Sequence, residues 1–115
     1  MSAKDRHAVI SLGDIAGGSS SNEVDMSTFQ NAWLFFKNAS GSTAHVLIEA
    51  APEEYGETPT WFRYGRPVEV LNNRQTAFPI PCGVLTDYVI PARIRVTSAD
   101  EAITDVFIEG VRDIA

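Results

Sequence analysis

Few residues in this sequence are suited to nucleophilic or acid–base chemistry. The 115-residue chain has two histidines, His7 and His45, and one cysteine, Cys82. A catalytic side chain of these types needs a partner that activates or orients it, and motifs such as Gly-x-Ser-x-Gly are missing. His45 falls on the polar side of a predicted strand, where a single histidine is ordinary surface, and we interpret Cys82 as an inert thiol. The sequence therefore predicts no catalytic residues and no enzyme.

Two groups of carboxylates have the close spacing that calcium sites use. One lies within residues 53–57 and the other within residues 100–105. Both lack the ordered Asp-x-Asp-x-Asp-Gly pattern of a calcium-binding loop. We interpret both groups as solvated loop charge, and we expect no metal site and no other cofactor.

Four aromatic residues lie close together in a predicted loop, residues 52–66, which also contains two prolines and two glycines. Large aromatic side chains anchor protein interfaces and also stack on sugar rings. Three interpretations stay open for this loop: packing on its own domain, contact with a protein partner, or contact with a carbohydrate. The candidate partner-binding residues are Tyr55, Trp61, Phe62 and Tyr64.

The length and the net charge of the chain limit the kinds of protein to which these residues can belong. A chain of 115 residues is the usual size of one domain. Its net charge of −6 argues against direct binding to nucleic acid, because phosphates attract basic surfaces. The apolar runs are far shorter than the roughly 20 residues of a membrane span, and the charged start of the chain does not resemble a signal peptide. We expect a globular domain without membrane contact.

The first 27 residues differ in composition from the rest. Residues 8–12 can form a short strand, but three glycines and a run of three serines follow before residue 22. Such residues interrupt regular structure. The sequence thus predicts an extended N-terminal arm over residues 1–27 and one β-domain over residues 28–115.

From residue 28 onward, every strong apolar run has the length and alternation of a strand. The strongest run, residues 28–37, has Trp33 and Phe35 on one face and Leu34 and Phe36 on the other. Both faces must be covered, which suits either a central strand or a strand whose outer face meets a partner. The pattern predicts hairpins between residues 28–37 and 43–51 and between residues 68–71 and 75–80.

No run has a sustained helical period, so we predict an all-β, two-layer antiparallel β-sandwich. The topology is immunoglobulin-like or jelly-roll, and the periodicity does not choose between them. The predicted core includes Leu34, Phe36, Val46, Ile48, Val70, Phe78, Ile94, Val96, Val106 and Ile108.

The run FQNAWLFFKNASGS at 29–42, followed by HVLIE at 45–49, resembles a pattern in small tailed-phage structural proteins. In that family a strand ends in a Lys-Asn-Gly/Ala-Ser type turn and a Thr-Val-Thr-Ile type strand follows. Later segments are similar to the family's paired strands before a Pro-rich bend and to its terminal hairpin. The chain departs from the family at residues 72–74, where Pro-Ala-Gly is more common, and in the long loop at 52–66.

The resemblance implies a virion structural protein without catalytic residues, most concretely a capsid decoration or cement subunit that stabilises the head lattice. It implies the major capsid protein or other virion proteins as partners, a homo-oligomer, and a location in the virion, which is assembled in the host cytoplasm. The arm and the aromatic loop are the expected contacts. The alternatives are a small carbohydrate-binding module, with Tyr55, Trp61 and Tyr64 stacking on sugars, and a phage tail or head-tail adaptor.

Overall fold

The computed structural model describes residues 7–52, 60–80 and 90–112. All regular secondary structure in these ranges is β-strand, and they contain no helix long and apolar enough to cross a membrane. The all-β class predicted from the sequence is therefore confirmed. The strands are β1 (His7–Ile15), β2 (Val24–Asp25), β3 (Phe29–Asn38), β4 (Ala44–Ala51), β5 (Phe62–Arg63), β6 (Val68–Val70), β7 (Arg74–Ile80), β8 (Arg93–Ser98) and β9 (Ile103–Arg112).

The strands form two antiparallel sheets packed face to face, which confirms the predicted sandwich. The first sheet has the order β1-β9-β3-β7, and the second has the order β2-β8-β4-β5, with β6 also paired to β4. The pairs β1–β9, β2–β8, β3–β7 and β4–β6 are nested, as in one long antiparallel ribbon. Wrapping that ribbon brings β9 beside β3 and β8 beside β4. This topology is the jelly roll rather than the immunoglobulin fold.

Both predicted hairpins are wrong, because the two strands of each lie in different sheets. β3 belongs to the first sheet and β4 to the second, and β6 and β7 are separated in the same way. The turn after β3 crosses between the sheets, and the buried side chain of Asn38 holds this corner. Its amide donates hydrogen bonds to the carbonyl of Ser42 at 2.7 Å and to that of Val70 at 2.9 Å. A tight turn reverses the chain equally well within one sheet or between two, so turn residues alone do not decide the pairing.

The core lies between the two sheets and contains all ten residues that the alternation predicted. The inner faces of the central strands supply most of it, with Leu34 and Phe36 from β3 and Val46 and Ile48 from β4 each at most 1% exposed. Burying a side chain of this size contributes about 1.5–3 kcal/mol. The sandwich is therefore held together mainly by apolar packing.

From His7 onward the N-terminal segment is part of the sandwich rather than the separate extended arm that the sequence predicted. β1 runs beside β9, and β2 runs beside β8. Ile15, Val24 and Met26 from this segment are buried in the core. The glycines that suggested a break in regular structure instead allow the backbone to bend within the sandwich. Gly13 and Gly18 adopt left-handed φ values of 69° and 78°, which favour glycine. Residues 1–6 of the predicted arm lie outside the described residues.

Candidate functional site

The outer face of the first sheet carries a cluster of aromatic and aliphatic side chains that the core does not use. The strand register places Phe107 of β9 beside Phe35 of β3, and Phe35 beside Ala77 of β7. In the neighbouring row, Trp33 lies beside Pro79. We call this surface the aromatic face and define it by Val9, Trp33, Phe35, Ala77, Pro79 and Phe107.

The aromatic face is open to solvent and partly preorganised. Val9 is 61% exposed and Trp33 is 49% exposed, whereas Phe35 and Phe107 are half-buried against each other. Their rings stack with centroids 4.8 Å apart and an angle of 22° between the planes. Beside the stacked pair lies a shallow, largely apolar groove of about 450 Å³ that Thr76 also lines. Large apolar side chains exposed close together are typical of interaction sites on soluble proteins.

Two charged pairs lie at the aromatic face, and Glu109 of one pair stands between Val9 and Trp33 in the strand register. The imidazole Nε2 of His7 lies 3.5 Å from the carboxylate of Glu109. The ammonium group of Lys37 lies 3.4 Å from the carboxylate of Asp105. Both pairs are substantially exposed. His7 and Lys37 thus lie at the two ends of the face along the strands and form a polar rim of the kind usual in protein interfaces.

The sequence indicated two of the six residues that define the aromatic face. The alternation in β3 placed Trp33 and Phe35 together on a face that needs a cover, and the structure puts them there. Phe107 and Val9 were not selected, although the apolar residues on both faces of β9 are the signal that would have found Phe107. Val9 joins the face only because β1, from the supposed arm, pairs with β9.

The aromatic loop does not form a single described surface. Tyr55 lies outside the described residues. The Arg95 guanidinium lies 4.5 Å from the centroid of the Trp61 ring, and Phe62 is 49% exposed in β5. Tyr64 packs against the core, where its ring meets Phe78 edge to face with centroids 6.3 Å apart. Trp61 and Tyr64 thus lie in different surroundings, one on the outer face of the second sheet and one at the margin of the core.

The outer face of the second sheet is polar, and its side chains bond to one another. Glu49 accepts hydrogen bonds from Arg95 Nε at 3.0 Å and from the Thr97 hydroxyl at 2.5 Å. The Thr97 hydroxyl also lies 2.6 Å from that of Ser20. Burial acts to raise the pKa of Glu49, but the hydrogen bonds from Thr97 and Arg95 outweigh it and lower that pKa. We call Glu49, Arg95, Thr97 and Trp61 the polar face.

A second ionic contact ties the start of β4 to the turn between β8 and β9. Asp100 accepts a hydrogen bond from the backbone N–H of His45 at 2.9 Å, and its other oxygen lies 2.5 Å from the imidazole Nδ1. The backbone bond and then the imidazole lower the pKa of Asp100 to about 2. The same contact, with Glu69 nearby, raises the pKa of His45. The two residues are 55 positions apart, so no local pattern indicated that they would meet.

Within the described ranges, no three His, Cys, Asp or Glu side chains are grouped so that they could hold a metal ion. Cys82 and the carboxylates of residues 53–57 lie outside those ranges. No protein-family model matches the sequence, and no curated protein matches it significantly. The chemistry of its own surfaces is therefore the basis for a functional proposal.

Proposed function

We propose that this protein is a non-catalytic structural subunit of a virion that binds another virion protein, in the first place the major capsid protein, through its aromatic face. The observation that carries the proposal is the exposure of Trp33 and Val9 beside the Phe35–Phe107 stack. These side chains are not needed for the core, which is complete on the other side of the same strands.

The energetics of the aromatic face favour a protein partner. Tryptophan is among the residues that most often dominate the energy of protein interfaces, especially near the centre of a desolvated patch. The stacked rings of Phe35 and Phe107 are already ordered by their mutual contact. Binding therefore immobilises little additional side-chain freedom, and the loss of entropy that opposes association is small.

The resemblance of residues 29–49 to small tailed-phage structural proteins selects the class of partner. A decoration or cement subunit binds a repeating lattice, where many modest contacts add up through high effective concentration. Jelly rolls occur in viral capsid proteins, and also in lectins and cupins. The fold is therefore compatible with a virion protein but does not by itself favour that role over the others. The net charge of −6 favours a position on the outside of the particle over one that faces DNA.

Co-sedimentation with purified particles that lack the subunit tests the proposal. We expect Trp33→Ala to weaken attachment at least about tenfold, as truncation of a central interface residue costs more than about 1.4 kcal/mol. Leu71→Ala is the matched control, because Leu71 is 55% exposed but lies outside the aromatic face. Attachment of both variants at the parental affinity would show that the aromatic face is not the contact surface.

The alternatives lead to different outcomes. A tail or head-tail adaptor is also a virion protein, and imaging of labelled particles distinguishes the two locations. A carbohydrate-binding module requires a stacking platform, yet Trp61 is engaged by Arg95 and Tyr64 packs on Phe78. Binding to a glycan array that Trp61→Ala abolishes and Trp33→Ala leaves intact would favour the module instead.

A further inference from the structure

Most sheet edges in the described part of the chain carry a feature that limits pairing with another chain. In the second sheet the edge strands are very short: β2 and β5 have two residues each and β6 has three. In the first sheet one edge is β7, which contains Pro79 and so lacks an N–H group there. Short edge strands and prolines are devices by which natural proteins avoid pairing along their edges.

The remaining edge, β1, is neither short nor interrupted by proline, and its register irregularities begin only after Ser11. It is nine residues long, and among the described residues it pairs with β9 alone. From His7 to Leu12 it contains no proline, lysine, arginine or carboxylate. On its inner side Ala8, Ile10 and Leu12 are only partly buried against the core, and on its outer side Val9 is 61% exposed. A long apolar edge of this kind is a template for another strand.

We propose that β1 pairs antiparallel with β1 of a second copy of this chain, across a two-fold axis at Val9. The register of β1 is regular from His7 to Ser11, and irregularities begin between Ser11 and Gly13. Val9 is the middle of that regular stretch. A two-fold axis there uses all five regular residues of each copy, and the same surface serves both partners, as a symmetric dimer requires.

The sequence of β1 is complementary to itself in this register. On the outer side, Val9 faces Val9 of the second copy, and His7 faces Ser11 of the second copy, so no like charges are opposed. On the core side, the small Ala8 faces the larger Ile10 of the second copy. The half-buried side chains at the core margin then gain cover from the partner. Apolar pairs directly across strands are the unit that stabilises a sheet.

The dimer joins the two first sheets into one continuous eight-stranded sheet. Residues that face each other across antiparallel strands point to the same side, so both aromatic faces lie on one side of the dimer. This inference concerns the free protein and does not depend on the proposed function. Where a lattice partner is present, the dimer presents two binding faces to it.

Sedimentation velocity of the full chain over a wide concentration range tests the proposal. Because the contact is small, we expect a reversible, concentration-dependent dimer. Val9→Lys places like charges against each other at the axis, and we expect it to weaken the dimer about tenfold or more. Leu71→Lys is the matched control at a comparably exposed aliphatic residue and should leave the dimer unchanged. Circular dichroism checks that both variants fold.

A cross-linking experiment locates the contact. In a Cys82→Ser background, Val9→Cys should be joined rapidly to a second copy by a short bis-maleimide, whereas Leu71→Cys should react at the rate of random collision. A parental chain that stays monomeric at every concentration overturns the proposal. The edge strand β1 would then be a candidate for pairing with a strand of another protein instead. A dimer that Val9→Lys does not weaken, or slow cross-linking at position 9, also overturns it.

Discussion

The two outer faces of the sandwich cover the same core but have opposite chemistry. On the aromatic face of the first sheet, Trp33 and Val9 are exposed beside a stacked pair of phenylalanines. On the polar face of the second sheet, Glu49 accepts hydrogen bonds from Arg95 and Thr97. Side chains of the polar face already bond to one another in the free protein. The aromatic face leaves apolar area in water that only a partner can remove. This difference is the reason why we propose the aromatic face, and not the polar face, as the contact surface.

The largest expected effect on stability distinguishes the core side of β3 from its outer side. Phe36→Ala removes a ring that is 1% exposed and leaves a cavity in the core, so it should lower the free energy of unfolding by about 3–5 kcal/mol. Phe35→Ala, one residue earlier, faces outward and should cost much less stability while weakening particle attachment. Urea unfolding measures both variants, and equal losses of stability would contradict the assignment of faces.

The N-terminal segment provides the next test. Ile15→Ala should lower the free energy of unfolding by about 2–4 kcal/mol, because Ile15 is 3% exposed within the core. Val9→Ala, in the same strand but 61% exposed, should change it by less than about 0.5 kcal/mol. Similar and small effects at both positions would mean that β1 is not part of the folded sandwich.

The polar face should yield a smaller effect on stability and none on attachment. Glu49→Gln removes the charge that Arg95 and Thr97 stabilise, and a double-mutant cycle with Thr97→Val should give a coupling of about 1 kcal/mol. Particle binding by either variant should match that of the parent. Loss of attachment without loss of stability would transfer the functional assignment to the polar face.

The smallest effect is a pH dependence at the His45–Asp100 contact. The pKa of His45 is raised, so its contribution is complete below the ordinary value of 6.5 and is lost as pH rises through the folded value. The pKa of Asp100 is lowered to about 2, so its contribution is complete above 3.8 and is lost as pH falls toward 2. The contact should therefore stabilise the fold most between about pH 4 and 6.5.

Melting temperatures of the parent and Asp100→Asn across that range measure the contribution of the contact. The difference between the two proteins should be greatest inside the window and shrink on both sides of it. A difference that stays constant from pH 3 to pH 9 would mean that the pair contributes nothing through its charges.

The alternation of apolar residues was a reliable guide to which residues are buried. It assigned Leu34 and Phe36 to the core and placed Trp33 and Phe35 on the opposite face of the same strand, and the structure agrees on both points. It failed for pairing, since the runs after β3 and β6 were expected to fold back as hairpins and instead cross to the opposite sheet. It allowed a short strand at residues 8–12 but assigned that strand to an arm outside the sandwich, because the glycines after it were interpreted as a break in regular structure.

The sequence by itself determined the class of the fold, the faces of its strands and the aromatic character of β3, because side chains alternate along a strand whatever lies beside it. Only the tertiary structure decided that the sandwich is a jelly roll, that His7–Ile15 lies against Ile103–Arg112, and that Val9 and Phe107 complete the aromatic face. These pairings join segments up to about a hundred residues apart. They are selected by the packing of both sheets around one core, and no window of neighbouring residues contains that information.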